Sequence, residues 1–167
     1  METTSAVETY IHTTDAMDYY DEVMEFANSW WDNHAYSTKL GISFRPAKPF
    51  FEEAAKNNAL FGIFLREPET KKLIAAYVGV FQHFIYNPSV LMVNEVFWFV
   101  VQDHRQKALA AVLLGTVNDQ LKQWGIEIMT CSIAHLENEP KEITDKKIAS
   151  LERIGYNSTD TILYKRV

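Results

Sequence analysis

Residues 95–111 form the segment that most constrains what this chain can fold into. An apolar and aromatic strand pattern leads into a polar turn with Arg105 and Lys107, and a helical pattern starts directly after the turn. In this arrangement backbone N–H groups and the positive end of a helix point at one place, which is how proteins hold a pyrophosphate. Loops of this kind usually carry glycine where this chain has Ala108 and Ala110. The segment therefore predicts an anion site in which the alanine side chains reduce the space between the anion and the backbone N–H groups.

Length and composition predict one soluble domain over residues 1–167. Hydrophobic residues make up 47% of the 167 residues, which is enough for a sizeable core. No stretch approaches ~18 consecutive apolar residues, so we expect no membrane span. The acidic N-terminus lacks the apolar region of a signal peptide. The single Cys131 excludes an internal disulfide and fits a reducing cytosol, so we expect a cytoplasmic protein.

The charge of the chain argues against nucleic acid as a partner. The formal net charge is −6, and the basic residues are dispersed rather than gathered in a run. We therefore expect neither a nucleic-acid partner nor a membrane partner.

Hydrophobic periodicity predicts ten elements in the order β, α, α, β, β, β, α, β, α, β. The predicted strands cover residues 7–11, 60–66, 73–83, 91–101, 127–133 and 161–165, and the helices cover 16–31, 50–57, 108–124 and 146–154. Asp15 is a plausible N-cap of the first helix, and Gly125 and Gly155 suit the ends of the last two. The inward side of helix 108–124 is predicted to carry Leu109, Val112, Leu113, Val117, Leu121 and Trp124.

Local signals refine this pattern. Gly79, within strand 73–83, predicts a bulge or a close approach of another strand. Asn87-Pro88-Ser89 predicts the turn before strand 91–101, which is apolar enough to be a central strand covered on both faces. Residues 135–144 are predicted to form a polar loop. The β-β-β run favours an antiparallel meander, and the later β-α-β favours a parallel pair. The predicted fold class is thus α/β, with a central mixed sheet and helices on both faces.

This order of elements resembles the GCN5-related N-acetyltransferases, the GNAT superfamily of acyl-CoA N-acyltransferases. The resemblance runs from residue 7 to residue 165 and is concentrated in three places. The first is residues 101–110, where the family has an Arg/Gln-x-x-Gly-x-Gly/Ala signature. The second is the helix end and strand at residues 124–132, and the third is the helix at residues 149–156 that ends in Gly155-Tyr156. The short chain also resembles divergent acetyltransferase-like proteins often found in bacteriophages.

The match to the family signature is partial. Arg105 and Ala110 agree with it, whereas Ala108 replaces its first glycine. We expect helical φ and ψ at Ala108, a conformation that does not require glycine, so the main effect of its Cβ should be on clearance for a pyrophosphate.

The resemblance implies acetyl-CoA as co-substrate and a set of residues that hold it. Backbone groups of Phe99, Val100 and Val101 would hold the pantetheine arm, and Asn138 lies where the family often has an asparagine that contacts this arm. The pyrophosphate would be held by Arg105, Gln106, Lys107, Ala108, Leu109, Ala110 and Ala111.

Glu95 is the acid that the resemblance suggests as general base, because several family members have a glutamate at a similar place on this strand. Apolar surroundings would raise the pKa of its carboxyl group, which suits a base near neutral pH. The alternative reading is a solvated or ion-paired residue, and His83 is an alternative base. The position of the family's proton-donating tyrosine is here Leu151, which cannot donate.

The acceptor site is expected near the loop between the first two helices. Candidates to line it are Trp30, Trp31, His34 and Tyr36, with His83 from the neighbouring strand. The alternative reading is that Trp31 packs in the core and the others cover it. An aromatic wall suits an amine without naming one.

Other chemistries find no support in the sequence. No Cys/His pattern has metal-ligand spacing, so we expect no metal site, and neither a Gly-x-Ser-x-Gly elbow nor a Walker loop occurs. Cys131 is interpreted as a small hydrophobic residue of an interior strand. The resemblance implies an N-acetyltransferase acting on an amine of a small molecule or protein. The alternative is a degenerate protein of the same fold that binds another protein. Homodimers are common in the family, and the sequence leaves the oligomeric state open.

Overall fold

The computed structural model describes residues 8–12, 14–32, 47–101, 108–133 and 140–158. Its strands are β1 (Glu8–His12), β2 (Leu60–Arg66), β3 (Leu73–Phe84), β4 (Asn87–Val100) and β5 (Ile128–Met129). A 3-10 helix at Thr14–Tyr19 runs into α1 (Tyr20–Asp32), and the further helices are α2 (Lys48–Lys56), α3 (Leu109–Gln123) and α4 (Lys141–Glu152). No described helix has both the length and the apolar character needed to cross a membrane.

The five strands form one mixed sheet in the order β1-β2-β3-β4-β5. The first four strands pair antiparallel, and β5 pairs parallel to β4 after the crossover through α3. Among the described strands β3 occupies the middle, and the seven residues from Leu73 to Gly79 are all buried. The predicted meander and parallel pair are therefore confirmed, and β4, the predicted central strand, has a described strand on each side.

Helical segments pack on both faces of this sheet. On one face the ring of Tyr19 stacks on Phe64 with centroids 4.9 Å apart, and Phe51 of α2 lies 6.1 Å from Phe97. On the other face Trp124, directly after α3, contacts Phe61 edge-on at 5.6 Å. Phe61 and Phe64 are an odd number of residues apart on β2, so their side chains point to opposite faces. The mixed sheet with helices on both faces is thus confirmed.

A bidentate ion pair joins the start of α1 to the end of β2. The Arg66 guanidinium donates to both carboxylate oxygens of Glu22 at 2.7 and 2.5 Å, and also to the Lys71 carbonyl at 2.7 Å. The same guanidinium lies 5.2 Å from the centroid of the Tyr19 ring. Because both ends of the pair are partly shielded from water, it orients α1 on the sheet better than an exposed pair would.

Several predicted boundaries are corrected by the structure. The first helix starts as a 3-10 turn at Thr14, so Asp15 lies within it rather than capping it. The β3–β4 chain reversal falls at Ile85 and Tyr86, and residues 87–89 belong to β4. There the Asn87 side-chain oxygen accepts hydrogen bonds from the Ser89 N–H and hydroxyl, so the predicted turn chemistry persists inside the strand.

The last described elements also differ from prediction. Helix α4 starts at Lys141, after Pro140, rather than at residue 146, and its Thr144 is buried. Strand β5 has two residues instead of seven. The predicted strand at residues 161–165 lies outside the described residues.

The inward side of α3 is largely as predicted. Val112 and Trp124 are 43% and 42% exposed, however, while Leu114, which was not expected inside, is buried. The buried residues of this helix are Leu109, Leu113, Leu114, Val117 and Leu121.

The described residues fall into two compact units. The first comprises the sheet, the 3-10 helix, α2, α3 and the beginning of α1, and it ends at Cys131. The second comprises the end of α1 and the described residues from Ser132 onward, including α4. A single domain over residues 1–167 stays a prediction.

Candidate functional site

The candidate site is centred on a β-bulge in β4. Val78 pairs with Phe97 and Gly79 pairs with Glu95, so Val96 is an extra residue on β4. The bulge interrupts the alternation of side chains along the strand. Glu95, opposite Gly79, lies on the face of Phe61 and Trp124, whereas Phe97 lies on the face of Phe51. The bulge that Gly79 predicted is confirmed, with the inserted residue on the partner strand.

Gly79 also provides the close approach that its position predicted. A Cβ built on Gly79 would lie 2.5 Å from Val93 Cγ1, 3.0 Å from the Asn94 carbonyl oxygen and 3.3 Å from Tyr77 Cε1. The absent side chain therefore lets β3 and β4 meet directly before the bulge.

The parallel pairing of β4 with β5 stops just before the bulge. Met92 pairs with Ile128 and Val93 with Met129, and the Thr130 N–H donates to the Val93 carbonyl at 3.0 Å. The Glu95 N–H then donates to the Thr130 hydroxyl at 2.7 Å, and that hydroxyl lies 3.0 Å from the Asn94 side-chain oxygen. The Thr130 hydroxyl thus accepts from the Glu95 N–H, which is the next backbone donor along the ladder.

Tyr77 supplies a second side-chain contact at the same place. Its side chain is fully buried, and its hydroxyl donates to the Thr130 carbonyl at 2.9 Å. Because β4 lies between β3 and β5, this bond joins β3 to the residue that directly follows β5. Neither Thr130 nor Tyr77 was among the predicted site residues. The available signal was a hydroxyl within the apolar run before Cys131.

Glu95 lies close enough to Cys131 for its charge to act on the Cys131 thiol. The pKa of the Cys131 thiol is raised, mainly because burial disfavours the thiolate and further because the negative charge of Glu95 repels it. Cys131 is half-buried, and its thiol stays protonated at neutral pH. The raised pKa agrees with the interpretation that Cys131 is not a nucleophile, but its predicted place on an interior strand is wrong, because β5 ends at Met129.

The remaining predicted residues of β4 continue toward α3. Glu95 and Phe99 are half-buried, Val100 is buried, and Val101 donates its N–H to the Ile74 carbonyl at 2.9 Å. His83 pairs with Leu91, four residues before Glu95, which places it about 13 Å along the sheet. The structure therefore does not bring His83 and Glu95 together.

Ala108 adopts a left-handed conformation directly before α3, with φ 54° and ψ 16°. The expectation of helical φ and ψ at this position is wrong, because the helix begins one residue later. Glycine adopts this conformation without the steric cost that a Cβ brings. The Ala108 side chain therefore raises the energy of the backbone at this residue, in addition to reducing the space for an anion.

The N-terminus of α3 offers backbone donors. Ala108 is the N-cap and its side chain makes no capping hydrogen bond. Leu109 buries its side chain, while Ala110 is half-buried and Ala111 is exposed. Ala111 donates its N–H to the Ala108 carbonyl at 3.0 Å, so a contact with an anion would come chiefly from the N–H groups of Leu109 and Ala110.

Several predicted site residues lie outside the described part of the chain. They are Arg105, Gln106, Lys107, Asn138, His34 and Tyr36, together with the side chain of Trp30. Trp31 is fully buried, which confirms the alternative reading of this residue as core. Within the described part of the chain, no group of three His, Cys, Asp or Glu residues is suited to hold a metal ion.

No protein-family model and no curated protein matches the sequence. Solved structures, in contrast, match over nearly the whole chain. One is an aminoglycoside acetyltransferase from an uncultured soil metagenomic sample in complex with sisomicin. Its TM-score is 0.67 at 8% identity, with 96% of each chain covered.

Two further similar structures broaden this comparison. The ribosomal-protein-alanine N-acetyltransferase of Brucella melitensis biovar Abortus 2308 gives a TM-score of 0.63 at 15% identity, covering 97% of this chain and 100% of that one. A predicted acetyltransferase with acetyl-CoA from Clostridium acetobutylicum gives 0.63 at 14% identity, with 96% of each chain covered. At such identities the likeness concerns the fold. The protein has the GNAT-type acyl-CoA N-acyltransferase fold that the order of its sequence elements predicted.

Proposed function

We propose that this protein is an N-acetyltransferase that moves an acetyl group from acetyl-CoA to an amine of a small molecule or a protein. The observation that carries the proposal is the joint presence of the bulged β4 and of the N-terminus of α3 within this fold. Strand β4 ends at Val100, and the helix begins at Leu109, directly after the left-handed Ala108.

The N-terminus of α3 is suited to the pyrophosphate of acetyl-CoA. The N–H groups of Leu109 and Ala110 lie in the first turn, where the helix dipole favours negative charge, while Ala111 donates its N–H to the Ala108 carbonyl at 3.0 Å and would lie beside the anion. Arg105, Gln106 and Lys107 precede them in sequence and would add side-chain donors. Phe99, Val100 and Val101, with Asn138, would hold the pantetheine arm.

Glu95 is the proposed general base. Glu95 is half-buried beside the bulge, and its negative charge contributes to the raised pKa of the Cys131 thiol. The carboxylate would take a proton from the acceptor amine, and the amine nitrogen would attack the thioester carbonyl. The carbon–sulfur bond then breaks, and the thiolate takes its proton from water, because Leu151 has no proton to give.

The proposed acceptor is an amine of a small molecule or a protein. Of the similar structures, one is named an aminoglycoside acetyltransferase and another a ribosomal-protein-alanine N-acetyltransferase, a name that states transfer to nitrogen. Trp30, His34, Tyr36 and His83 are the proposed lining of the acceptor site, and a homodimer is compatible with the proposal. A cytoplasmic location fits the single cysteine. A relation to bacteriophage proteins stays a prediction.

Thermal unfolding with and without acetyl-CoA tests the proposal. At a ligand concentration 100 times Kd, binding stabilises the folded chain by about 2.7 kcal/mol, which raises Tm by several degrees. S-acetylpantetheine, which lacks the pyrophosphate, is the matched control ligand and should give a much smaller shift. An unchanged Tm at millimolar acetyl-CoA would contradict the proposal and leave the protein-binding alternative.

A further inference from the structure

Two side-chain hydroxyls end the ladder between β4 and β5. In a regular parallel ladder, a residue that donates its N–H to residue i of the neighbouring strand accepts at its carbonyl from residue i+2. Thr130 donates its N–H to Val93, so its carbonyl would accept from the Glu95 N–H. The Glu95 N–H instead donates to the Thr130 hydroxyl at 2.7 Å, and the Thr130 carbonyl accepts from the Tyr77 hydroxyl at 2.9 Å.

The Thr130 hydroxyl therefore replaces the acceptor of one backbone hydrogen bond, and the Tyr77 hydroxyl replaces its donor. Both backbone groups remain paired, so the interruption does not leave a partly buried N–H or C=O without a partner. The ladder ends here even though the chain continues through Cys131, which is not part of a strand. The interruption lies directly opposite the bulge at Val96, where β4 changes the faces of its side chains.

We propose that Thr130 and Tyr77 are positioning residues of the acyl-donor site, because their hydroxyls together hold β4 and β5 apart at Glu95. The inference rests on the proposed function, since it assigns the opening to the pantetheine arm and the thioester. The extended arm carries amide groups that need backbone partners, and a closed ladder at Glu95 would use those partners within the sheet. The two hydroxyls also fix the backbone of Glu95 itself.

A double-mutant cycle tests the strand geometry without any ligand. Thr130→Val removes the acceptor of the Glu95 N–H, and Tyr77→Phe removes the donor to the Thr130 carbonyl. Each single variant should lower Tm by roughly 3–6 °C, because each leaves one backbone group short of a partner. In the double variant the two freed backbone groups can bond to each other, so we expect it to recover at least half of the summed loss. Strictly additive losses would overturn the inference.

Acetyl-CoA titration of the same variants tests the positioning role. The double variant should bind acetyl-CoA at least tenfold more weakly than the wild-type chain, although its stability has recovered. Thr116→Val is the matched control, because its hydroxyl donates to the Val112 carbonyl at 2.9 Å within α3, away from β5. This control should bind as the wild-type chain does.

The outcomes separate the two proposals. Wild-type binding together with equally tight binding by the double variant overturns the positioning role and leaves the proposed function intact. Absence of binding by the wild-type chain overturns the proposed function and the positioning role with it, while the stability cycle still reports whether the hydroxyls hold the strands apart. Recovered stability with weakened binding supports the inference.

Discussion

Gly79 and Val93 lie so close that a Cβ on Gly79 would approach Val93 Cγ1 to 2.5 Å. Val93 is fully buried and forms the last residue pair of β4 with β5. Its branched side chain has little freedom to move aside. The residue that sets the close spacing of β3 and β4 is therefore also the residue at which the parallel pairing of β4 with β5 ends.

We expect Gly79→Ala to lower the free energy of unfolding by about 1–3 kcal/mol, because the added methyl group overpacks the strand pair. Urea unfolding measures this loss. Gly115→Ala in α3 is the control, since a Cβ there meets nothing within 4 Å and alanine favours a helix. The control should raise the stability by about 0.5–1 kcal/mol. Equal stability of Gly79→Ala and the wild-type chain would show that the strands separate without cost.

Replacement of Ala108 by glycine should stabilise the protein. At φ 54° the Cβ of Ala108 costs about 1 kcal/mol that glycine does not incur. Ala111→Gly, within the first turn of α3, should instead destabilise by about 0.5–1 kcal/mol. Urea unfolding of both variants gives the comparison. A loss of stability in Ala108→Gly would show that residue 108 does not hold the left-handed conformation in solution.

Glu95→Gln should lower the acetylation rate at neutral pH by roughly 100-fold or more, because the amide cannot accept the amine proton. The Kd for acetyl-CoA should remain within about twofold, since the side chain keeps its shape. Steady-state kinetics at saturating acetyl-CoA with a panel of small amines measures the rate. Glu127→Gln, at an exposed residue before β5, is the control and should keep full activity. An unchanged rate in Glu95→Gln would remove Glu95 from the mechanism.

Cys131 should react slowly with iodoacetamide at pH 8. Its pKa is raised in the folded chain, so the thiolate fraction at this pH lies well below that of an unfolded cysteine. We expect alkylation at least tenfold slower than in urea, and faster in Glu95→Gln, because the repelling charge is gone. Mass spectrometry over time follows the reaction. Equal rates in the two folded proteins would place Glu95 away from the thiol.

The same shift has a consequence for stability. Because the pKa is raised on folding, the folded chain keeps a proton that the unfolded chain releases above pH ~8.5. The contribution of Cys131 to stability is therefore complete below that pH and is lost as the pH rises further. In Cys131→Ala the fall of stability above this pH should be shallower than in the wild-type chain.

The regular elements were predictable because hydrophobic periodicity and helix-end signals act locally. Strand 60–66 coincides with β2, and Gly125 and Gly155 have the positive φ expected at helix ends. The resemblance in the order of elements correctly predicted the fold. The bulge was predictable from Gly79, since a glycine inside a buried strand points to a close contact.

The details of the site depend on contacts between distant parts of the chain. The predicted strand at 127–133 contains enough apolar residues for a full ladder, but β5 ends at Met129, and the Thr130 and Tyr77 hydroxyls bond to the backbone groups that would continue the ladder. Ala108 has a left-handed backbone, for which alanine gives no local signal. Asn87-Pro88-Ser89 matched a turn in composition, yet the reversal falls at Ile85 and Tyr86.

The bond between Tyr77 and Thr130 joins residues 53 positions apart across an intervening strand. The antiparallel pairing of β3 and β4 closes a short hairpin, whereas β5 needs the α3 crossover before it can reach β4. Within the described strands β5 forms two ladder pairs, and the bond from the Tyr77 hydroxyl adds a further contact directly after them. We therefore expect β5 to be the last strand of the five to form, and pulsed hydrogen exchange during refolding should protect the amides of β3 before that of Thr130.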